Sequence, residues 1–318
     1  MIYPIIFVSL IIFLLLYFRI ADKYNIVDKP NERSSHTVIT LRGGGVVYWF
    51  TALLLLLQHA ETTYLFFAGI TIVSAVSFWD DIQSLSNKVR LLAHFTAITI
   101  IFYQLGVFSL LPVWSLPILY VIAIGIINAY NFMDGINGIT GLYTLAVLGA
   151  LLYVNYYVIA FTHADLIVYP ILASIAFLFF NYRKKAKCFA GDVGSIAIAF
   201  WIIFLLLELI LKSGSLIWAL FLIVYGVDTV CTIFHRLYLK QNIFEAHRLH
   251  FYQVLSNEYK IQHRIVALLY ALLQGVLSAT VILLYKKIDE LVTILIVVTP
   301  LLLLYLIKFY LLRNNSKI

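Results

Sequence analysis

The feature that most constrains this chain is a near-continuous succession of apolar stretches, each about as long as a bilayer is thick. A helix needs roughly 20 predominantly apolar residues to cross the hydrocarbon core. Segments such as Ile11–Tyr17 and Leu301–Tyr305 are solidly apolar, whereas strands of a membrane β-barrel alternate apolar and polar residues. Of the 318 residues, 63% are hydrophobic and 12% charged, with a mean hydropathy of +0.99. A soluble domain of this length carries about twice that charge. The expectation is an all-α polytopic membrane protein, one integral membrane domain over residues 1–318.

Breaks between apolar runs predict about eleven spans, at roughly 2–20, 44–59, 63–79, 91–107, 109–128, 139–160, 166–182, 195–211, 215–234, 265–285 and 291–312. Ten result if the region around Pro112 and Pro117 is drawn differently. Basic residues decide the orientation, because short cytoplasmic loops are enriched in Lys and Arg. With the N-terminus outside, nineteen basic residues fall on inner segments and three, Lys212, Lys286 and Lys287, on outer ones. The predicted topology is therefore N-terminus outside and C-terminus cytoplasmic. The first stretch, Ile2 to Ile20, has neither a basic leader nor a small-residue cleavage site, and reads as a retained span. The net charge of +7 follows the membrane boundaries, so the sequence gives no reason to expect a nucleic-acid partner. Cys188 and Cys231 provide neither a disulfide framework nor a metal-binding spacing.

Unusual polar chemistry concentrates on the predicted inner side. Trp79-Asp80-Asp81 closes the third span with two adjacent carboxylates. Such groups at a membrane boundary are costly to desolvate and suit a cation or a general base, although a solvated helix end also accounts for them. After the fifth span, Asn128-Ala-Tyr-Asn131-Phe-Met-Asp134-Gly-Ile-Asn137-Gly138 gathers amides and a carboxylate in otherwise apolar chain. Those groups can read a nucleotide or fill a metal shell, and a plain turn needs only one Asn-Gly or Asp-Gly. Phe189-Ala-Gly191-Asp192-Val-Gly194-Ser195 places a carboxylate between glycines. This arrangement suits Mg²⁺ or, equally, a helix N-cap. Glu245-Ala-His247-Arg248-Leu-His250 offers donors for a diphosphate, with a solvated loop as its plain alternative. The early loop carries Arg33, His36 and Arg42 ahead of Gly43-Gly44-Gly45. His94 reads as a packing residue. Asp228 and Glu208 are intramembrane carboxylates, of which Asp228 lies nearer the inner loops.

Taken in order, Asp-Asp, Asn-x-x-Asn-Phe-x-Asp-Gly, Gly-Asp-x-Gly-Ser and a basic His loop, each at the edge of a span, resemble one family. It is the polyprenyl-phosphate N-acetylhexosamine-1-phosphate transferases, glycosyltransferase family 4, and in particular the initiating enzymes of O-antigen synthesis. The resemblance covers roughly residues 21–263. It implies transfer of a HexNAc-1-phosphate from a UDP-sugar to undecaprenyl phosphate at the cytoplasmic face of the bacterial inner membrane, with release of UMP. It also implies Mg²⁺, with Mn²⁺ as a substitute, and leaves room for a homodimer. By the same resemblance Asp192 and Asn131 hold the metal, and Asp80 or Asp81 handles the lipid phosphate, with Asp80 favoured. Asn128, Asn131, Asp134 and Asn137 line the donor pocket, while Arg33, His36, Lys88, Arg90, His247, Arg248 and His250 contact phosphates or sugar. The chain departs from the pattern at Asn137, where many bacterial members have Asp, and at Arg33-Ser-Ser-His36, where relatives often carry a lysine after the arginine. A secondary transporter is the rival reading. Transporters, however, place polar groups near the bilayer midplane on repeated halves, and no repeat is visible here.

The charge distribution predicts the labelling of engineered cysteines by a membrane-impermeant thiol reagent in intact cells. Cysteines at Thr62 and Asp289 are expected to react, and those at Ser86 and Gln253 to be protected. Labelling at Ser86 from outside would invert the topology.

Overall fold

The computed structural model describes residues 2–28, 38–242 and 248–315. Arg33, His36 and His247 lie outside the described residues. Every apolar stretch is a helix. The elements in order are α1 (Ile2–Lys23), β1 (Val27–Asp28), β2 (Thr40–Leu41), α2 (Val46–Gln58), α3 (Ala60–Ile82) and α4 (Asn87–Gln104). The turn α5 (Val107–Leu110), then α6 (Leu116–Met133), α7 (Ile139–Tyr157), α8 (Asp165–Asn181) and α9 (Gly191–Ser213) follow. The chain finishes with α10 (Ile223–Tyr238), the short turn α11 (Phe251–Gln253), α12 (His263–Leu284) and α13 (Glu290–Asn315). Among the described residues, eight helical segments are long and apolar enough to cross a membrane, while α2 and α8 are shorter apolar helices. The protein is an all-α, multi-pass membrane protein.

Two helix ends differ from the sequence expectation, for one reason. Asn128 to Met133 do not follow a span but form the last turns of α6, which starts later, after a 3-10 turn at Val113–Ser115. Likewise Gly191 to Ser195 are the first turns of α9, not a loop ahead of it. Apolar runs stop at the first polar side chain. A helix continues while its backbone amides and carbonyls can pair, so polar residues occupy its ends.

The central post is α9: 83% of its membrane-length window is buried, against 22% for the windows of α13 and 113–133. It packs on α2, α3 and α6 and is pinned to α8 by the Trp201 indole, which donates to the Leu166 carbonyl at 2.8 Å. On the other side α7 pairs with α12. There Tyr143 donates to Gln274 at 2.7 Å, and the fully buried Gln274 amide donates to the Leu220 carbonyl at 3.1 Å. Leu220 sits in the 3-10 segment Leu216–Leu222 that opens the ninth apolar stretch. Irregular backbone within a membrane must find its partners inside the protein, and Gln274 is such a partner.

α2 and α9 meet at their N-termini through glycine. A Cβ on Gly45 would lie 2.1 Å from the Gly194 Cα, and one on Gly194 would lie 2.6 Å from the Gly45 Cα. Backbone meets backbone there, and no side-chain movement relieves the clash. Gly45→Ala is expected to lower stability by at least about 1–3 kcal/mol, read as a lower unfolding temperature in detergent. In contrast Gly149→Ala, in α7 with nothing within 4 Å of the added methyl, is expected to be neutral or stabilising by up to about 1 kcal/mol.

Candidate active site

The motif-bearing ends of α2, α3, α4, α6, α7, α8 and α9 lie together at one end of the bundle. A run of backbone hydrogen bonds assembles them. β1 and β2 form a small antiparallel hairpin, with Val27 opposite Leu41 and Asp28 opposite Thr40. Past β2, Phe189 N–H donates to the Leu41 carbonyl at 2.8 Å, Gly44 N–H to the Phe189 carbonyl at 2.8 Å and Gly45 N–H to the Ala190 carbonyl at 3.0 Å. The loop before α2 is thereby laid along the segment that leads into α9, and Arg42 is brought over the α9 N-terminus. Gly191 turns the chain with φ +71°, and a Cβ there would lie 2.5 Å from an Asp81 oxygen.

Five charged side chains converge at this point. Asp81, at the end of α3, accepts from the Asp192 and Val193 amides at 2.9 and 3.1 Å. These are orphan donors of the first turn of α9, so a carboxylate from another helix supplies the cap. Its side chain is wholly buried, and Arg42 Nε lies 2.7 Å from Oδ1. Arg42 reaches on to Asp192 at 3.5 Å. Arg90, in the first turn of α4, pairs with Asp80 at 3.2 Å and approaches Asp192 at 3.8 Å. Burial opposes the Arg42 charge, but Asp81 and Asp192 outweigh it and hold the guanidinium above its ordinary pKa. Three carboxylates therefore share two guanidiniums, and the set carries an excess negative charge.

Asp192 faces both Asp80 and the Asn131 amide, and Asn131 also donates to Ser195 at 3.3 Å. Carboxylate and amide oxygens of this kind suit a hard cation such as Mg²⁺. The excess charge and the partly exposed Asp192 carboxylate fit one as well. Asp134 follows α6 and accepts from Thr140 at 2.5 Å. Burial pushes its carboxyl up to about 7 against the opposing pull of that hydrogen bond. Asn128 is half-buried on the last turns of α6, and Lys88 is exposed at the start of α4. Asn137 is buried with its amide donating to the Arg183 carbonyl at 2.9 Å, as a brace between loops.

The His loop closes over the Asn-rich segment. Tyr252, fully buried, donates to the Phe132 carbonyl at 2.9 Å, and the His250 ring lies 6.2 Å from that of Phe132. Asp228, on α10, holds this loop down. It accepts from the Phe251 amide at 2.9 Å and from Tyr270 at 2.7 Å, and lies 3.4 Å from His250 Nδ1. Arg248 is half-buried at the start of the described part of the loop. His94 is buried within α4, and Glu208 sits toward the far end of α9.

Sequence reasoning passed over Asn181 and Tyr252. Asn181, at the end of α8, accepts from the Gly138 amide at 2.6 Å and donates to the Cys188 carbonyl at 2.8 Å, joining two motif loops. A lone amide closing an apolar helix was the available signal. Nothing in the sequence marks Tyr252 among 22 tyrosines.

The geometry separates the two neighbouring aspartates by stability. Asp81→Asn removes a buried charge that two amides and a guanidinium address, and is expected to cost about 2 kcal/mol. Asp80→Asn, whose carboxylate meets one backbone amide, that of Leu85 at 2.6 Å, and the quarter-exposed Arg90, is expected to cost less, about 1 kcal/mol. Thermal unfolding of both variants in detergent checks the order, and the reverse order would contradict the capping role of Asp81.

Comparison with known proteins places the chain. Residues 63–210 match the family model of glycosyl transferase family 4. The chain is 29% identical over 295 residues to a probable undecaprenyl-phosphate N-acetylglucosaminyl 1-phosphate transferase of Bacillus subtilis, covering 84% of this chain and 79% of that protein. It is 28% identical over 275 residues to the undecaprenyl-phosphate alpha-N-acetylglucosaminyl 1-phosphate transferase of Escherichia coli K12, covering 79% and 74%. A phospho-N-acetylmuramoyl-pentapeptide-transferase of Petrotoga mobilis is 28% identical over 187 residues, covering 49% of this chain and 56% of that protein. The matched residues run from α3 through α9, and so across Asp80, Asp81, Asn131 and Asp192, and over them the chain is similar to glycosyl transferase family 4.

Proposed function

We propose that this protein transfers a HexNAc-1-phosphate from a UDP-sugar to undecaprenyl phosphate at the cytoplasmic face of the bacterial inner membrane. The observation that carries the reading is the cluster of Asp80, Asp81, Asp192, Arg42 and Arg90 at the shared end of membrane-length helices. One substrate is a lipid confined to the bilayer and the other a charged nucleotide excluded from it, so their reaction needs a polar site at the boundary. A polyprenyl phosphate oxygen attacks the β-phosphorus of the UDP-sugar. The bond from that phosphorus to the oxygen bridging it to the α-phosphate breaks, and UMP leaves with that oxygen.

Phosphoryl transfer depends mainly on positioning and charge neutralisation. Arg42 and Arg90 orient phosphate oxygens through their forked donors. Asp80, beside Arg90, orients or deprotonates the lipid phosphate, and Asp81 holds the α9 N-terminus in place. Asn128, Asn131 and Asp134 line the donor pocket, and Arg248 and His250 hold the diphosphate or sugar. Asp192 and Asn131 would hold Mg²⁺, which supplies charge neutralisation at the phosphates. The finer topology, eleven crossings with the N-terminus outside, rests on the basic-residue distribution and would put this cluster on the cytoplasmic side. A transporter has no support from the relatives, which are transferases.

The test uses purified protein in detergent with undecaprenyl phosphate, Mg²⁺ and a panel of UDP-HexNAc donors. UMP release is expected to require both lipid and metal. Asp192→Asn and Asp80→Asn are each expected to lower kcat on the order of 10²-fold or more, Asp80→Asn with little change in KM for the donor. Release of UMP undiminished in excess EDTA would remove the metal assignment. Absence of lipid-dependent release with every donor would remove the reaction.

A further inference from the structure

At the opposite end of the bundle lies a second cluster that the transfer reaction does not use. His59 occupies the single-residue joint between α2 and α3, and its carbonyl accepts from the Thr62 and Thr63 hydroxyls at 3.2 and 2.7 Å. His163 and Asp165 precede and open α8. His59 Nε2 lies 2.8 Å from Asp165 Oδ2, and His163 Nδ1 lies 3.6 Å from the same oxygen. All three ligand-type atoms fall within 4.8 Å of one another. The 23 residues of α3 put about 34 Å, at about 1.5 Å per residue, between this cluster and Asp81.

We propose that His59, His163 and Asp165 form a binding site for a divalent transition metal of zinc type on the face opposite the candidate active site. Two imidazoles and one carboxylate are the donor set such ions take, with an open fourth position. A tetrahedral ion with bonds of about 2.0 Å holds its ligand atoms about 3.3 Å apart. The observed separations of 2.8 and 3.6 Å straddle that value.

One further feature suits metal binding, and one existing bond would have to open for it. The Asp165 amide donates to His163 Nδ1 at 3.3 Å, so the lone pair is met by that amide and an ion would take its place. Tyr3 donates to the other Asp165 oxygen at 2.7 Å, an outer hydrogen bond of the sort that fixes a ligating carboxylate. The His163 side chain is 62% exposed, giving the ion a route in and the fourth position a water. A bound ion would tie α8 to the α2–α3 joint, and through Tyr3 to α1.

The test is a titration of the metal-stripped full-length protein in detergent with Co²⁺, a spectroscopic stand-in for Zn²⁺. Near-tetrahedral ligation gives visible ligand-field absorption, which an octahedral oxygen site gives only weakly. One equivalent is expected to produce the band, and Zn²⁺ to bleach it. His163→Ala removes a mostly exposed side chain and so leaves the fold intact. It is expected to abolish the band, and Asp192→Asn to retain it. Tyr3→Phe is expected to weaken binding on the order of 10-fold. No band in the wild type, or an equal band in His163→Ala, would overturn the proposal.

Discussion

Everything at the candidate site depends on the two hydrogen bonds by which Asp81 accepts the first free amides of α9. The N-terminus of a helix leaves donors without partners and carries a partial positive charge. Inside a bundle that end must be met by an acceptor from elsewhere. Asp81 meets it from α3, and Arg42 meets Asp81 from the loop before α2. One carboxylate thus fixes the relative position of three segments that are distant in sequence. Asp192 owes its place to that contact, since it stands on the capped turn itself.

Glycine provides the complementary constraint. The close approach of Gly45 to Gly194 lets the α2 and α9 N-termini converge, so that Arg42 reaches two carboxylates. On the other side the wall is made differently. There Asp228, Tyr252 and Asn181 hold loop backbone by hydrogen bonds. The site has one wall set by backbone contact and another set by buried polar side chains.

Much of this was legible in the sequence, since apolar length and polar interruptions are local properties. The all-helical, multi-pass architecture was expected from the apolar stretches, and Asp80, Asp81, Asn131 and Asp192 stand out in the sequence by residue type alone. What stayed illegible is what depends on three dimensions. Adjacent aspartates look alike in a string, yet one caps a distant helix and the other holds the Leu85 amide of its own loop and pairs with Arg90. The glycine run carried little by itself, because its partner lies some 150 residues away at Gly194. Nor does the sequence show that the Asn137 amide ties its loop to the Arg183 carbonyl. The cluster at His59 is invisible for the same reason, its members being separated by everything from α3 through α7.

The sharing of two guanidiniums among three carboxylates has a thermodynamic consequence. An anion that takes the donors of Arg42 or Arg90 leaves a carboxylate with less countercharge, and that carboxylate becomes a better ligand for a cation. A cation on the carboxylates, in turn, releases guanidinium donors for an anion. Such linkage is reciprocal: each partner raises the affinity of the other by the same factor, commonly about 1–3 kcal/mol of coupling. In the reaction proposed above, cation and phosphate would be recognised as a pair, at a cluster whose two guanidiniums do not match its three carboxylates.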